Sequence, residues 1–294
     1  MATALLILPG IAAMAQEKPV TNTLFDRTYR NGEKYRYRLR SEQYYNGQWN
    51  ATSVAVCELT VVQDISGVHY DVVRWVSMRT LSPKDTLDLT KQAALVNPYR
   101  ISLEAAGKLD LPKITIASMT GPITDLNTFL VAISPKLGSD KLHAASDTFA
   151  NPKPVTGNFS NGKTTLHGSD CLQTSLQLDK LSVDTALLTT RFLPPAQPCL
   201  NYLVPEMKEP VVKDTANNFQ MVMPVGKDKF NIQFGREYFV IGSVIRRSDG
   251  KLLSAVMNNS LSLQLNLNCD SSYANCQTSF PFLIDRRVML ELIR

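Results

Sequence analysis

The segment Ser260-Leu-Ser-Leu-Gln-Leu-Asn-Leu-Asn268 places Leu261, Leu263, Leu265 and Leu267 at every second position, with only Ser, Gln and Asn between them. Successive side chains of a strand point to opposite faces, so this segment has one apolar face and one polar, uncharged face. That is the pattern of an antiparallel sheet packed on one side only. It recurs along the chain. Tyr35-Arg-Tyr-Arg-Leu-Arg40 alternates apolar residues with arginines. Asn46-Gly47 then supplies two positions that tolerate positive φ, ahead of Trp49 and the strand-like Val54–Val62. Ser66-Gly67 turns the chain into Tyr70–Met78, so residues 33 to 80 read as a three-stranded meander.

Residues 84 to 150 mix the two periods. Asp88–Asn97 reads as a short helix stopped before Pro98. Tyr99–Glu104 and Leu109–Ile116 read as a hairpin around Ala106-Gly107. In Pro122–Ser134, Ile123, Leu126, Phe129, Leu130 and Ile133 recur at three- and four-residue spacing, the single apolar stripe of an amphipathic helix. Thr124 or Asp125 is its expected cap, and Pro135 its end.

Strands resume after a turn at Asn161-Gly162. Cys171–Asp179 puts Leu172, Thr174, Leu176 and Leu178 on one face, with Leu181–Phe192 as its partner. Pro194, Pro195, Pro198, Pro205 and Pro210 then crowd together, and proline cannot donate to a ladder. Seven strand-like segments follow: 217–223, 230–234, 238–246, 251–257, 260–268, 279–284 and 288–293. The expected fold is mainly β, with antiparallel meanders forming a curved sheet or half-barrel and one or two short helices. Its parts are a signal peptide over 1–15, a first β-rich part over 16–193 with a helix near 122–134, a Pro-rich crossover over 194–210 and a second meander over 211–294 that belongs to the same domain.

The signal peptide rests on the apolar run Ala4–Ala13 and the small-x-small site Ala13-Met14-Ala15, with cleavage expected after Ala15. It places the mature chain in the periplasm or outside the cell. No later stretch approaches the roughly 18 apolar residues of a transmembrane helix. A chain of 294 residues with 44% hydrophobic and 19% charged residues fits neither disorder nor a coiled coil. Its net charge of +5 is spread out, which argues against nucleic acid as a partner. Among the five cysteines, Cys269 and Cys276 flank the turn-rich Asp270–Asn275 and read as a stapled hairpin neck. Cys171 with Cys199 is the next pair, which leaves Cys57 as a buried thiol.

Several motifs look chemical. Gly157-Asn-Phe-Ser-Asn-Gly-Lys163-Thr164 matches the phosphate-binding P-loop letter for letter. That loop must leave a buried strand and open a helix, and neither flank here has that character. An Asn-Gly hairpin fits better. His167-Gly-Ser169-Asp170 holds the residue types of a hydrolase triad, but a triad is assembled in space and adjacency argues nothing. The reading that suits its position is a polar turn ahead of the Cys171 strand. His69, His143 and His167 show no metal-ligand spacing, and no cofactor is expected. Tyr35, Tyr37 and Leu39, with Trp49 and Trp75 on neighbouring strands, form either ordinary sheet core or the wall of an apolar cavity. Arg36, Arg38 and Arg40 form a solvated face or a surface for anionic headgroups or polysaccharide.

The hairpin Ser243–Met257, turning at Asp249-Gly250, is similar to the strand–DG–strand units of the bacterial periplasmic lipoprotein-carrier superfamily. That resemblance implies an open, curved sheet and a helical lid around an apolar cavity, with 122–134 as the lid. The expected function is therefore non-catalytic binding of a lipid or other apolar small molecule. Tyr35, Tyr37, Trp49, Trp75, Phe129 and Leu130 are the expected ligand contacts. The alternatives are a cell-envelope scaffold that binds a protein partner or glycan, and a secreted hydrolase.

Overall fold

In the computed structural model, residues 26–109, 112–159, 165–200 and 217–293 are described. The signal peptide, Asn161-Gly162, Lys163 and most of the proline-rich segment lie outside them. The strands are β1 (Lys34–Tyr45), β2 (Gln48–Gln63), β3 (His69–Leu81) and β4 (Thr86–Asp88), then helix α1 (Thr90–Ala94) and β5 (Tyr99–Ile101). Helix α2 (Thr120–Ala132) follows, then β6 (Thr148–Ala150), β7 (Val155–Phe159), β8 (His167–Leu181) and β9 (Thr185–Leu193). Beyond the proline-rich segment come β10 (Phe219–Gly226), β11 (Lys229–Arg246), β12 (Leu252–Cys269) and β13 (Thr278–Ile293). These form one mainly antiparallel 13-stranded sheet, ordered β10-β8-β9-β11-β12-β13-β1-β2-β3-β4. It curves around α2.

The first meander matches the alternation, and Asn46 (φ 48°) and Gly47 (φ 77°) take the positive φ that its first turn requires. In the second meander four strands replace the seven short segments. β11 and β12 run unbroken for 18 residues each, through the expected breaks at 235–237 and 258–259. Gly235 makes this continuity possible. Its φ is 155°, and a Cβ there would collide with the Ser262 carbonyl on β12. The expected hairpin over 99–116 is replaced by a different pairing. β5 pairs with Asp71–Val73 of β3, and residues 112–116 form no strand.

The proline-rich segment does not divide the sheet: β9 pairs with β11, and β1 pairs with β13. Instead it interrupts a strand. β9 lies between Gln173–Leu181 of β8 and Phe239–Arg246 of β11, while β10 lies between His167–Asp170 and Lys229–Gly235 of the same two strands. The two short strands thus share one slot, and the chain leaves it after Leu193 and returns at Asn218. Asn218 bridges the gap with its side chain. Its Nδ2 donates to the carbonyls of Cys171 (3.0 Å) and Glu237 (2.8 Å), and its Oδ1 accepts from the Glu237 N–H (2.7 Å). Here an amide side chain does the work of the missing backbone rungs. Disulfides join Cys171 to Cys199 and Cys269 to Cys276, and Cys57 is a buried free thiol.

Helix α2 starts two residues before the expected Pro122, which its first turn tolerates. Ile123, Leu126, Phe129, Leu130 and Ile133 all lie in the main core, as their spacing requires. The expected cap is absent. Thr124 Oγ1 donates back to the Thr120 carbonyl at 2.8 Å, and Asp125 turns inward onto the sheet.

Candidate functional site

The concave face changes character along the strands. Reading the inward positions of β1 gives Tyr35, Tyr37, Leu39, Ser41 and Gln43. Those of β2 run Leu59, Cys57, Ala55 and Ser53, and those of β13 run Leu290, Val288, Arg286 and Ile284. Side chains are bulky and apolar at one end and small or polar at the other. Where they are bulky, α2 closes on them and the core is filled. At the other end they leave a half-open cavity of about 550 Å³. Leu39, Ala55, Met78, Phe219, Phe239, Met257 and Leu261 give it apolar walls, and the first turns of α2 border it from Thr120 to Thr128.

Register brings its charged groups together. Gln43, Arg286, Asn259 and Phe239 stand side by side across β1, β13, β12 and β11. Asp125 reaches over from α2, and Arg286 Nη2 donates to its Oδ1 at 2.8 Å and its Oδ2 at 2.6 Å. Glu237 sits diagonally from Asn259, whose Nδ2 donates to Glu237 Oε1 at 2.9 Å. Asp170 joins from β8 across β10. Its carboxylate accepts from the Gly157 N–H, and a Cβ at Gly157 would collide with that carboxylate. A glycine is what lets the acid settle against the neighbouring strand.

Burial dominates the electrostatics of the four ionisable groups. It raises Asp170, and it raises Asp125 in spite of the adjacent guanidinium. Burial works against the Arg286 charge, but Asp125 holds that charge more firmly than usual. Glu237 is pushed up to about 7 by burial first and by the neighbouring Asp170 second. Three carboxyls therefore face one guanidinium, and near neutrality one of the three holds a proton easily.

The residues singled out in the sequence lie elsewhere. Tyr37, Trp75, Phe129 and Leu130 are buried in the main core. Tyr35 packs against that core and carries the cations Arg27 and Lys251 over its ring. Trp49 is 36% exposed, because a register shift at Gln43/Tyr44 sets it opposite Tyr44 on the outward face. None of the six lines the cavity. A sequence signal for the cavity lining did exist. Arg286 breaks the apolar alternation Ile284, Val288, Leu290, and Glu237 stands at an inward position between Gly235 and Phe239.

The other motifs resolve on geometry. Gly157–Phe159 belongs to a strand that pairs antiparallel with β8, so strands flank the P-loop match on both sides. Ser169 and Asp170 are successive strand residues on opposite faces, within β8 rather than in the turn expected before it. Arg36, Arg38 and Arg40 lie on the outer face, about half exposed, and pair with Glu58, Glu291 and Glu42. A second hollow, of about 640 Å³, lies at the rim near the start of β1, and its Arg36 and Lys251 are already paired with Glu58 and Glu33. Among the described residues, no group of three His, Cys, Asp or Glu is placed to hold a metal ion. Nor is any helix long and apolar enough to cross a membrane. The two disulfides fit an oxidising, extracytoplasmic compartment.

No family model matches the chain, and no curated protein matches it. The resemblance to the lipoprotein carriers thus rests on its hairpin alone. Among solved structures, one of lipovitellin, described under lipid–protein interactions, is similar over 91% of this chain at 13% identity and a TM-score of 0.43. The match spans 26% of that longer chain. So loose a likeness carries no functional argument.

Proposed function

We propose that the protein is a non-catalytic, extracytoplasmic binding protein that takes an amphipathic, lipid-like small molecule into the cavity between α2 and the concave sheet. The observation that carries this reading is the cavity itself. Its volume of about 550 Å³ falls within the usual range for small-molecule sites. Its walls are mostly apolar and its polar groups converge at one place, the arrangement that buries a chain and orients a head. Ligand contacts are then expected at Phe219, Phe239, Met257 and Leu261 rather than at the tyrosines and tryptophans. Two measurements test the reading together. Protein purified without detergent is extracted with organic solvent for mass spectrometry, and alkyl amphiphiles are titrated while melting is followed. A ligand that binds only the native state raises Tm with its concentration. Ser41→Trp, which projects an indole into the cavity, should abolish the rise without lowering the Tm of the empty protein by more than a few degrees. An amphiphile response that survives this substitution unchanged would place binding elsewhere.

A further inference from the structure

Resting on the cavity reading above, we infer that the head of the ligand is neutral and hydroxylated, as in a monoacylglycerol, and that it is held between Arg286, Glu237 and Asn259. The fork of Arg286 is the first argument. A guanidinium grips a carboxylate or phosphate through two parallel N–H groups, and Nη2 belongs to both of the edges that can do so. Nη2 is the nitrogen of Arg286 that Asp125 occupies, at 2.8 Å and 2.6 Å from its two oxygens. An anionic head therefore finds no free fork, and it would also face Glu237 and Asp170, which line the same cavity. A cationic head would face the guanidinium. Beside mostly apolar walls, neither full charge is well compensated.

Hydrogen-bonding capacity is the second argument, and it is independent of charge. The polar atoms left open at this corner are of both kinds. Among the described residues, nothing accepts from Arg286 Nε or Nη1. Nothing donates to Glu237 Oε2 or Asn259 Oδ1, because the bond between those two residues uses Oε1 and Nδ2. Thr120 Oγ1, on the α2 side of the cavity, is buried without a partner. An ammonium would leave the guanidinium donors unfilled, and a carboxylate would leave the acceptors unfilled. A hydroxyl accepts from an N–H and donates to a carboxylate or amide oxygen at once. Two neighbouring hydroxyls can thus serve Arg286 on one side and Glu237 with Asn259 on the other. Leu39, Ala55, Met257 and Leu261 beyond them suit an acyl chain.

The experiment titrates 1-monododecanoylglycerol, methyl dodecanoate, dodecanoate and dodecylamine into the protein at pH 7, each below its micelle or solubility limit, by melting shift and calorimetry. All four share one chain, and only the first carries hydroxyls. The monoglyceride should bind at least about tenfold more tightly than each of the others, the worth of one or two net hydrogen bonds. Ser41→Trp should abolish its binding. Asp125→Leu with Arg286→Met removes the guanidinium without stranding a buried charge, and leaves Glu237 and Asp170 as the charged groups of the corner. The ratio of monoglyceride to dodecylamine affinity should then fall at least about tenfold, as the corner loses its donors and opens to a cation. If dodecanoate or dodecylamine binds wild type as tightly as the monoglyceride, and Ser41→Trp abolishes that binding, the neutral head is wrong while the cavity reading stands. A monoglyceride that binds no better than methyl dodecanoate makes no hydroxyl contacts, and the assignment fails in the same way. An unchanged ratio in the double variant also overturns it. If none of the four binds, both readings are wrong, and monoglyceride binding that survives Ser41→Trp lies outside the cavity and refutes both.

Discussion

The two ends of β1 each carry a cluster of half-buried charge, and the clusters are built differently. At the start of the strand Arg27 donates to Glu33 (3.2 Å) and to the Asp249 carbonyl (3.4 Å), and lies over the rings of Tyr29 and Tyr35. Lys251 pairs with Glu33 and Asp249. Each cation there has several partners, and the N-terminal segment is pinned to the 249–250 turn by the Thr28 N–H to the Asp249 carbonyl at 2.9 Å. At the far end the acids outnumber the base and an amide oxygen stands open. A network whose cations are all engaged fixes a chain segment, even though Asp71 Oδ1 beside it is buried without a partner. One whose polar groups stand open beside an apolar hollow is equipped to receive a ligand.

The largest test of this contrast is in packing rather than charge. Phe129 is fully buried where α2 closes on the sheet, and Phe129→Ala should cost about 3–5 kcal/mol, because both transfer and cavity terms apply. Leu261 borders space that is already empty. Leu261→Ala should cost only about 1–2 kcal/mol, close to the transfer term alone. Urea unfolding of the two variants measures both. Equal losses would mean that the cavity end collapses as tightly as the filled end.

Next in size is the pair that ties α2 to the cavity wall. Asp125→Ala leaves a mostly buried guanidinium without its carboxylate, and should cost about 3 kcal/mol. Replacing both partners, as Asp125→Leu with Arg286→Met, should recover most of that loss, since an apolar pair needs no compensation. A loss below about 1 kcal/mol for Asp125→Ala would show that water reaches Arg286 freely.

A smaller effect separates the clusters by pH. Glu237 is held near 7 in the native protein, against about 4.3 for an unperturbed glutamate. Between those values the native state binds a proton that the unfolded chain has given up. Its stabilising contribution is complete below about pH 4, falls as pH rises and is gone above about pH 7. Asp71, pushed up to about 6 by burial at the other end, acts in the same sense over a lower window. Glu33, whose carboxyl is held low chiefly by its hydrogen bonds to Lys251 and Arg27 against a burial cost, acts in the opposite sense. Glutamine cannot titrate, so the stability difference between wild type and Glu237→Gln isolates the cavity group. That difference should change by on the order of 2 kcal/mol between pH 5 and pH 8, in favour of the variant at the higher pH. A flat difference would mean that Glu237 is solvated.

Much of the architecture was legible in the chain because a period of two is a local property. Leu261 to Leu267, Tyr35 to Leu39 and Leu172 to Leu178 each declare a strand and its buried face without reference to any neighbour. The helix was legible for the same reason. The cavity was not, because it depends on register. Arg286 meets Asn259 only once β12 and β13 are aligned, and Asp125 looks like a capping residue until the sheet beneath it is known. Aromatic side chains drew attention as a binding wall, yet Tyr37, Trp75 and Phe129 lie in the filled core, while Phe219 and Phe239 border the hollow. The hollow lies where the inward residues are Ser41, Ser53 and Ala55. The interrupted strand was hidden for another reason: Asn218 stands in for rungs that belong to β8 and β11, far away in sequence.

The smallest effect expected is also the most direct check on that distinction. Tyr37 is buried, and its hydroxyl donates to the Leu252 carbonyl at 2.8 Å. Tyr37→Phe removes one neutral hydrogen bond and keeps the ring, so the cost should be about 1 kcal/mol, with somewhat more if the carbonyl finds no water. Its effect on ligand is the sharper observable. If the cavity at the polar end is the site, amphiphile affinity should not change, because Tyr37 lies one row deeper than Leu39 and outside the lining. If the aromatic face contributes a contact, affinity should drop along with stability. Calorimetric titration of one amphiphile into wild type, Tyr37→Phe and Ser41→Trp side by side separates the two cases. Only the cavity predicts a loss confined to position 41.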